Sequence, residues 1–444
     1  MSEVGLCPVA FPSDETPERG RVRLERTWFA VVAAGFGLLG YADMANALSF
    51  GPVAEVSKLI YVATLAAAFA IFAARRGSFR VVPPAWVLLG FTFAVAVTYV
   101  LQLALARPPN SYLAAFMPTT LYTLILVLPD PRKPIDRRSV VAAMTGFLML
   151  LGAIYAVEIS IRSAAGGLGD INNLENHVKS VSLVLAAGLA IVSGRWAWLV
   201  VIVVLAAWIT TLRPSSTFIL AMVACCSLGL LIRLGWMRAA GLVSYTVLLV
   251  LAVSPLVVSF VPGADELVLS FEGALKEEWL GGQTNTSVRL IVQSVALSGM
   301  RGYDWVLGEM FVGANSVYVA DLLPWWWDNS DRGLATIHSD YVILLVQSGL
   351  VGYVAYNLVL LALAATGLQI RRGEGRAERE LRAVFPICVT GLAIYSAANP
   401  FLQYYQTSHV VWLCLGLAQY ALLPVSQRAT TPTSGASTLL AVAR

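Results

Sequence analysis

The sequence predicts an all-α polytopic membrane protein of about 12 transmembrane helices with one large extracytoplasmic loop. Three observations carry this expectation. Of 444 residues, 58% are hydrophobic and only 13% charged, and the mean hydropathy is +0.73; a soluble domain carries about a quarter charged residues. Apolar runs of about 20 residues, the length that crosses a bilayer, recur along the chain. The basic residues also fall unevenly between alternate connecting segments. This composition excludes a water-soluble domain, a disordered chain and a disulfide-stapled secreted module. A net charge of +4 gives no footprint for a nucleic-acid partner.

Residues 1–27 are polar and carry Arg19, Arg21, Arg23 and Arg26. No short apolar core with a small-residue cleavage site follows, so the segment reads as a cytoplasmic tail rather than a cleaved signal. Residues 28–261 hold nine expected helices, at 28–46, 59–74, 84–106, 111–128, 139–160, 178–193, 196–212, 216–232 and 239–261. Residues 262–337 form the long loop. Residues 338–425 hold three more helices, at 338–370, 383–400 and 409–425, and 426–444 form a second cytoplasmic tail whose Thr/Ser/Ala-rich composition suits disorder. With both tails inside, the inner segments hold 21 of the 30 Lys/Arg and the outer ones 9. Arg75-Arg76, Arg137-Arg138 and Arg371-Arg372 are the clusters that the positive-inside rule expects.

The long loop holds ten acidic and four basic residues and is rich in aromatics. A connection of this length has its own structure and a function. The five cysteines, Cys7, Cys225, Cys226, Cys388 and Cys414, lack metal-ligand spacing. The four inside apolar runs read as small buried apolar residues.

Outer-face cations beside spans are the first candidates for chemistry, because charge is scarce here. Arg213 lies in the turn Thr210-Thr211-Leu212-Arg213-Pro214-Ser215-Ser216, where the charge rule disfavours it and where a planar bidentate donor suits diphosphate oxygens. A helix-end anchor reaching the headgroups is the plain alternative. Arg289, in Ser287-Val288-Arg289, sits in a helical part of the long loop, where a salt bridge to a loop acid competes with a binding role. His338 opens the tenth expected helix. Tyr341 and Val342 share its face, whereas Asp340, two positions on, does not. Trp325 and Trp326, in Pro324-Trp325-Trp326-Trp327, fit an interfacial belt or a sugar-stacking surface. Asp43, Glu55 and Glu158 are usable carboxylates, Glu158 having the spacing of a helical pair with Arg162. The sequence contains no DxD metal pair, phosphate-binding glycine loop or Ser/His/Asp set, so no metal and no cofactor are expected.

At His338 the sequence resembles the O-antigen ligase/polymerase superfamily, which holds the WaaL-type ligases and Wzy-type polysaccharide polymerases. That family has a histidine at the start of a late span in a pattern like H-N-x-x-L-x(4)-E-x-G-x-x-G. Here His338, Gly349 and Gly352 fall in register, while Ser339, Val342 and Gln347 replace the usual Asn, Leu and Glu. Gln347 removes a possible carboxylate. The family arginine after a Thr/Ser-rich turn is matched by Arg213, and its S-x-R segment in the outer loop by Ser287-Val288-Arg289, with Gln293 where a tryptophan is usual. The resemblance covers roughly residues 205–360 by motif and the remainder by topology.

The resemblance implies a GT-C-like, metal-independent glycosyltransferase of the bacterial inner membrane, with its active site on the periplasmic face. Such an enzyme moves an oligosaccharide from a polyprenyl diphosphate donor to an acceptor hydroxyl. Arg213 and Arg289 would grip the diphosphate, and His338 would accept or orient the hydroxyl proton; Trp325, Trp326 and Tyr341 would contact sugar. The partners are then the lipid-linked oligosaccharide, an acceptor glycan and membrane lipids. The departures at His338 and the distinctive loop favour a polymerase, which extends a lipid-linked repeat unit, over a ligase acting on lipid A-core. A flippase or other transporter is the competing class; such folds tend to show repeated halves and a midplane site.

Overall fold

The long described apolar runs are helical, and where the residues that follow are described, polar residues or glycine end them. A computed structural model describes residues 137–164, 179–260, 286–308, 316–318, 334–369, 375–399 and 405–422. These form α1 (Arg137–Ala164), α2 (Val181–Ser193), α3 (Trp196–Leu212), α4 (Ser216–Arg233), α5 (Met237–Phe260), α6 (Thr286–Gly299), α7 (Asp304–Leu307), β1 (Ser316–Tyr318), β2 (Leu334–Thr336), α8 (Asp340–Leu368), α9 (Arg376–Ala398) and α10 (Tyr405–Leu422). Among the described residues α1, α4, α5, α8 and α9 are long and apolar enough to cross a membrane; α2, α3 and the Val410–Gln419 part of α10 are shorter apolar helices.

Each expected span from 139–160 onward overlaps one of these helices. The expected spans 28–46, 59–74, 84–106 and 111–128 and both expected tails lie outside the described residues. The all-α expectation has one small exception in the long loop. There β1 and β2 pair antiparallel, with Ser316 opposite Thr336.

The central helix is α9: 89% of its apolar window is buried inside the protein, against 28% for α5. Beside it, α2 is buried along nearly its whole length, and α1, α4, α8 and α10 pack around the pair. On α3, α4 and α5, by contrast, Val204, Leu220, Val223, Leu242 and Leu249 stay exposed, an arrangement that costs nothing where the surroundings are lipid. Ser215 caps α4, its hydroxyl accepting from the Phe218 N–H. Gly194 ends α2 in the left-handed region.

The helix α9 starts at Arg376, seven positions before its expected start. The charged stretch Arg376–Arg382 is helical because its members support one another at i,i+4. Arg376 pairs with Glu380 at 2.9 Å and Arg382 with Glu378 at 3.3 Å, while Arg137 of α1 reaches Glu378 at 2.9 Å. These contacts also fix the ends of the bundle. At the basic end, guanidinium groups donate to helix C-terminal carbonyls: Arg137 to Ala421, Arg376 to Ser193 and Arg382 to Thr366. Those carbonyls have no partner within their own helix and carry partial negative charge. At the opposite end Lys179 pairs with Glu158, and the Ser180 and Tyr395 hydroxyls share a 2.6 Å hydrogen bond.

The tenth expected span, 338–370, is not one rod. Gly349 has φ 59° and ψ −166° inside α8, a conformation open essentially to glycine alone. Tyr341 and Tyr353 lie on either side of it with ring centroids 6.3 Å apart. Twelve residues of straight helix would separate them by about 18 Å, more than two tyrosine side chains can close. The segment Asp340–Ser348 therefore bends over at Gly349 towards the remainder of α8.

Candidate functional site

The bend carries the start of α8 into the protein. Ser339 is extended at φ −160° and its hydroxyl accepts from the Val342 N–H, so the helix begins at Asp340. His338 therefore precedes the helix. This corrects the expectation that it opens the span, and helical face-sharing with Tyr341 and Val342 does not apply to it. The sequence Ile337-His338-Ser339-Asp340 is buried throughout, with His338 4% exposed.

The ring nitrogen Nδ1 of His338 is enclosed and has no hydrogen-bond partner among the described residues. Burial first, and the positive charge of Arg289 second, lower the pKa of His338 from 6.5 to about 3. The imidazole is thus neutral at physiological pH, with one ring nitrogen able to accept a hydrogen bond.

Arg289, carried by the long loop, lies close enough for its charge to act on His338. Arg289 is half-buried on α6, and its Nη1 donates to the Ala398 carbonyl at 3.1 Å, at the C-terminal end of the central helix. The contact uses one edge of the guanidinium and ties the loop to the bundle. Arg213 caps the C-terminus of α3, its backbone N–H donating to the Ile209 carbonyl at 2.7 Å. It is buried. Chain direction places it at the same end of the bundle as Ala398.

Tyr341 is fully buried, and its hydroxyl lacks a partner among the described residues. The Tyr353 hydroxyl donates to the Ala252 carbonyl of α5. The buried Asp340 carboxylate lies within electrostatic reach of the Tyr341 and Tyr356 hydroxyls. Trp325 and Trp326 lie outside the described residues.

Sequence reasoning missed Tyr353, Tyr356 and the break at Gly349. The available signal was the polar Gln347-Ser348-Gly349 inside an apolar run too long for a single span. It also missed the ion pair of Glu158 with Lys179, with both carboxylate oxygens within 3.1 Å of Nζ; these residues are 21 apart in sequence and no local rule joins them. No protein-family model matches the chain, and no curated protein matches it.

Proposed function

We propose that the protein is a membrane glycosyltransferase of the O-antigen ligase/polymerase type, with about twelve spans and a GT-C-like arrangement. It acts at the periplasmic face of the bacterial inner membrane in surface polysaccharide assembly. The observation that supports this reading is a buried histidine, His338, within reach of the charge of Arg289, which the long loop seats on the Ala398 carbonyl at the end of the bundle opposite the arginine-rich end. A positively charged group beside an acceptor-capable imidazole suits attack of a hydroxyl on a sugar that leaves a diphosphate.

In this reading the acceptor oxygen attacks the anomeric carbon, and the bond from that carbon to the diphosphate oxygen breaks with its electron pair on the leaving group. Arg289 and Arg213 meet the charge that develops there. His338 accepts the hydroxyl hydrogen bond and holds the oxygen in line. With so low a pKa it is suited to orienting the hydroxyl rather than to storing its proton, which passes to the departing diphosphate or to water. Tyr341, Trp325 and Trp326 are the proposed sugar contacts. A polymerase acting on a second lipid-linked repeat unit is favoured over a ligase acting on lipid A-core.

One observation favours a second reading. A span broken at a glycine is a device of transporters, which build sites from half-helix ends. The deciding experiment is transfer by purified protein supplied with lipid-linked oligosaccharide and, in turn, each acceptor. Chain elongation supports the polymerase and a lipid A-core product the ligase. No product with either acceptor, together with movement of the donor across sealed vesicles, replaces both by a flippase.

A further inference from the structure

The basic end of the bundle carries a second cluster, remote from His338. The turn between α2 and α3 is Gly194-Arg195, and arginines from three elements converge on it. Arg233, at the end of α4, donates Nη1 to the Ile191 carbonyl at 3.1 Å and lies over the Trp196 ring, its Cζ 4.8 Å from the centroid. It also occupies the space beside Gly194, where any side chain would overlap the guanidinium. Arg195 lies over Trp198 at 5.2 Å. Arg376 donates Nη2 to the Ser193 carbonyl at 3.0 Å.

Of the three, Arg376 has a carboxylate partner, Glu380 at 2.9 Å. Arg195 and Arg233 have none among the described residues; rings and a carbonyl hold them, and neither cancels a charge. A guanidinium stacked on an indole can still present edge N–H groups to two oxygens of a phosphate; on Arg195 the Nη1 is enclosed and without a hydrogen-bond partner among the described residues. Beside them Trp196 and Trp236 are 51% and 60% exposed, as tryptophans at the headgroup level are. From there the exposed apolar surface runs on through Val200, Val203 and Val204 of α3.

We propose that this corner binds the headgroup phosphate of an anionic phospholipid in the leaflet at the basic end, through Arg195 and Arg233. Trp196 and Trp236 flank the headgroup, and an acyl chain lies along the valines of α3. The separation of the features supports a lipid over a soluble anion: cations cluster at the end of the spans, and the apolar track leaves from the same point along the bundle wall. Basic pockets between spans at the cytoplasmic surface recognise anionic headgroups, each arginine contributing about fivefold in affinity.

The test is quenching of tryptophan fluorescence by brominated phosphatidylglycerol and brominated phosphatidylcholine, with the full-length protein reconstituted in mixtures of the two. Wild type should prefer phosphatidylglycerol. Arg195→Gln, which removes no described hydrogen bond, should lower that preference about fivefold with unchanged circular dichroism and melting. Arg233→Lys, which keeps the charge and loses the fork, should lower it less. Millimolar inorganic phosphate should leave the preference intact. An unchanged preference in folded Arg195→Gln would overturn the site, and full competition by inorganic phosphate would overturn the lipid as its occupant.

Discussion

Gly308 and Gly349 lock the long loop to the broken span, backbone against backbone. A side chain on Gly308 would overlap the Gln347 carbonyl, and one on Gly349 would overlap the Val306 carbonyl. Both glycines have positive φ, 84° and 59°. The short helix α7 is thereby seated on the bend of α8, the bend that places His338.

Gly349→Ala should accordingly cost stability by more than about 2 kcal/mol, from backbone strain alone before the overlap is counted. Gly308→Ala should release α7 from α8 with a smaller loss. Limited proteolysis of the loop, together with melting in detergent, reads both effects. Protection and melting equal to wild type in both variants would show that the contact holds nothing in place.

How far the sequence foretold this structure varies with the physics involved. The helix 196–212 falls where its unbroken apolar run sets it, between Arg195 and Arg213. Helix existence depends on local composition, which the sequence displays. The bend at Gly349 is only partly legible: the polar Gln347-Ser348-Gly349 interrupts an overlong apolar run, but a glycine there is also compatible with a straight helix, and the backbone of Val306 and Leu307 that packs on it comes from the long loop. Similarly, Arg289 could be picked out by type and position, but its seat on the Ala398 carbonyl is a tertiary contact with no local spacing. His338 stands out by its flanking span and by the family pattern that begins at it. Its place outside the helix turned on whether Ser339 would cap.

Arg289 is predicted to tune His338. Burial is the larger cause of the lowered pKa and the arginine the smaller, so Arg289→Gln should raise the His338 value without restoring 6.5. Resolved histidine resonances in a pH titration check this. The stability consequence has a definite sign. The folded value lies below the unfolded one, so the unfolded chain binds the proton first on acidification. Stability then falls as pH drops from about 6.5 towards 3. His338→Gln should flatten that part of the profile.

Glu158 and Lys179 form a buried pair with side chains 1% and 11% exposed. Removing one partner leaves a charge in a site that cannot hydrate it, a loss of about 3–5 kcal/mol. Lys179→Met should therefore destabilise strongly, and Glu158→Met with Lys179→Met should recover most of the loss. Thermal unfolding of the two single variants and the double variant forms the cycle. Additive losses would remove the coupling.

The two ends of the bundle are predicted to face opposite compartments. Ser294 on α6 and Arg379 on α9 are both exposed. Single cysteines at these positions, in a background lacking the native five, should differ towards an impermeant thiol reagent on spheroplasts. The Ser294 position should label and the Arg379 position should not, following the basic asymmetry. The reverse pattern would invert the topology and move the proposed active site to the cytoplasm.

The last prediction concerns His338 and follows from its neutrality. An imidazole that orients a hydroxyl without storing the proton gives a transfer rate that does not follow an ordinary histidine titration. Transfer by the wild type should be level from about pH 5 to 8 as far as this group is concerned. His338→Ala should lose about two orders of magnitude in turnover, the scale of a lost positioning contact, while keeping fold, membrane insertion and donor binding. Asp340→Asn should be milder in turnover, because that carboxylate lies beside the Tyr341 and Tyr356 hydroxyls and has no proposed contact with the acceptor oxygen. Arg289→Lys should weaken donor binding as well as turnover, since lysine lacks the fork, and the two variants thus separate along different axes. The measurements are product formation against pH and donor affinity for each variant at matched expression. Wild-type turnover in His338→Ala would remove the histidine from the mechanism. Loss of donor affinity equal to that in Arg289→Lys would instead assign it to the diphosphate, where a neutral ring can donate a hydrogen bond but adds no charge.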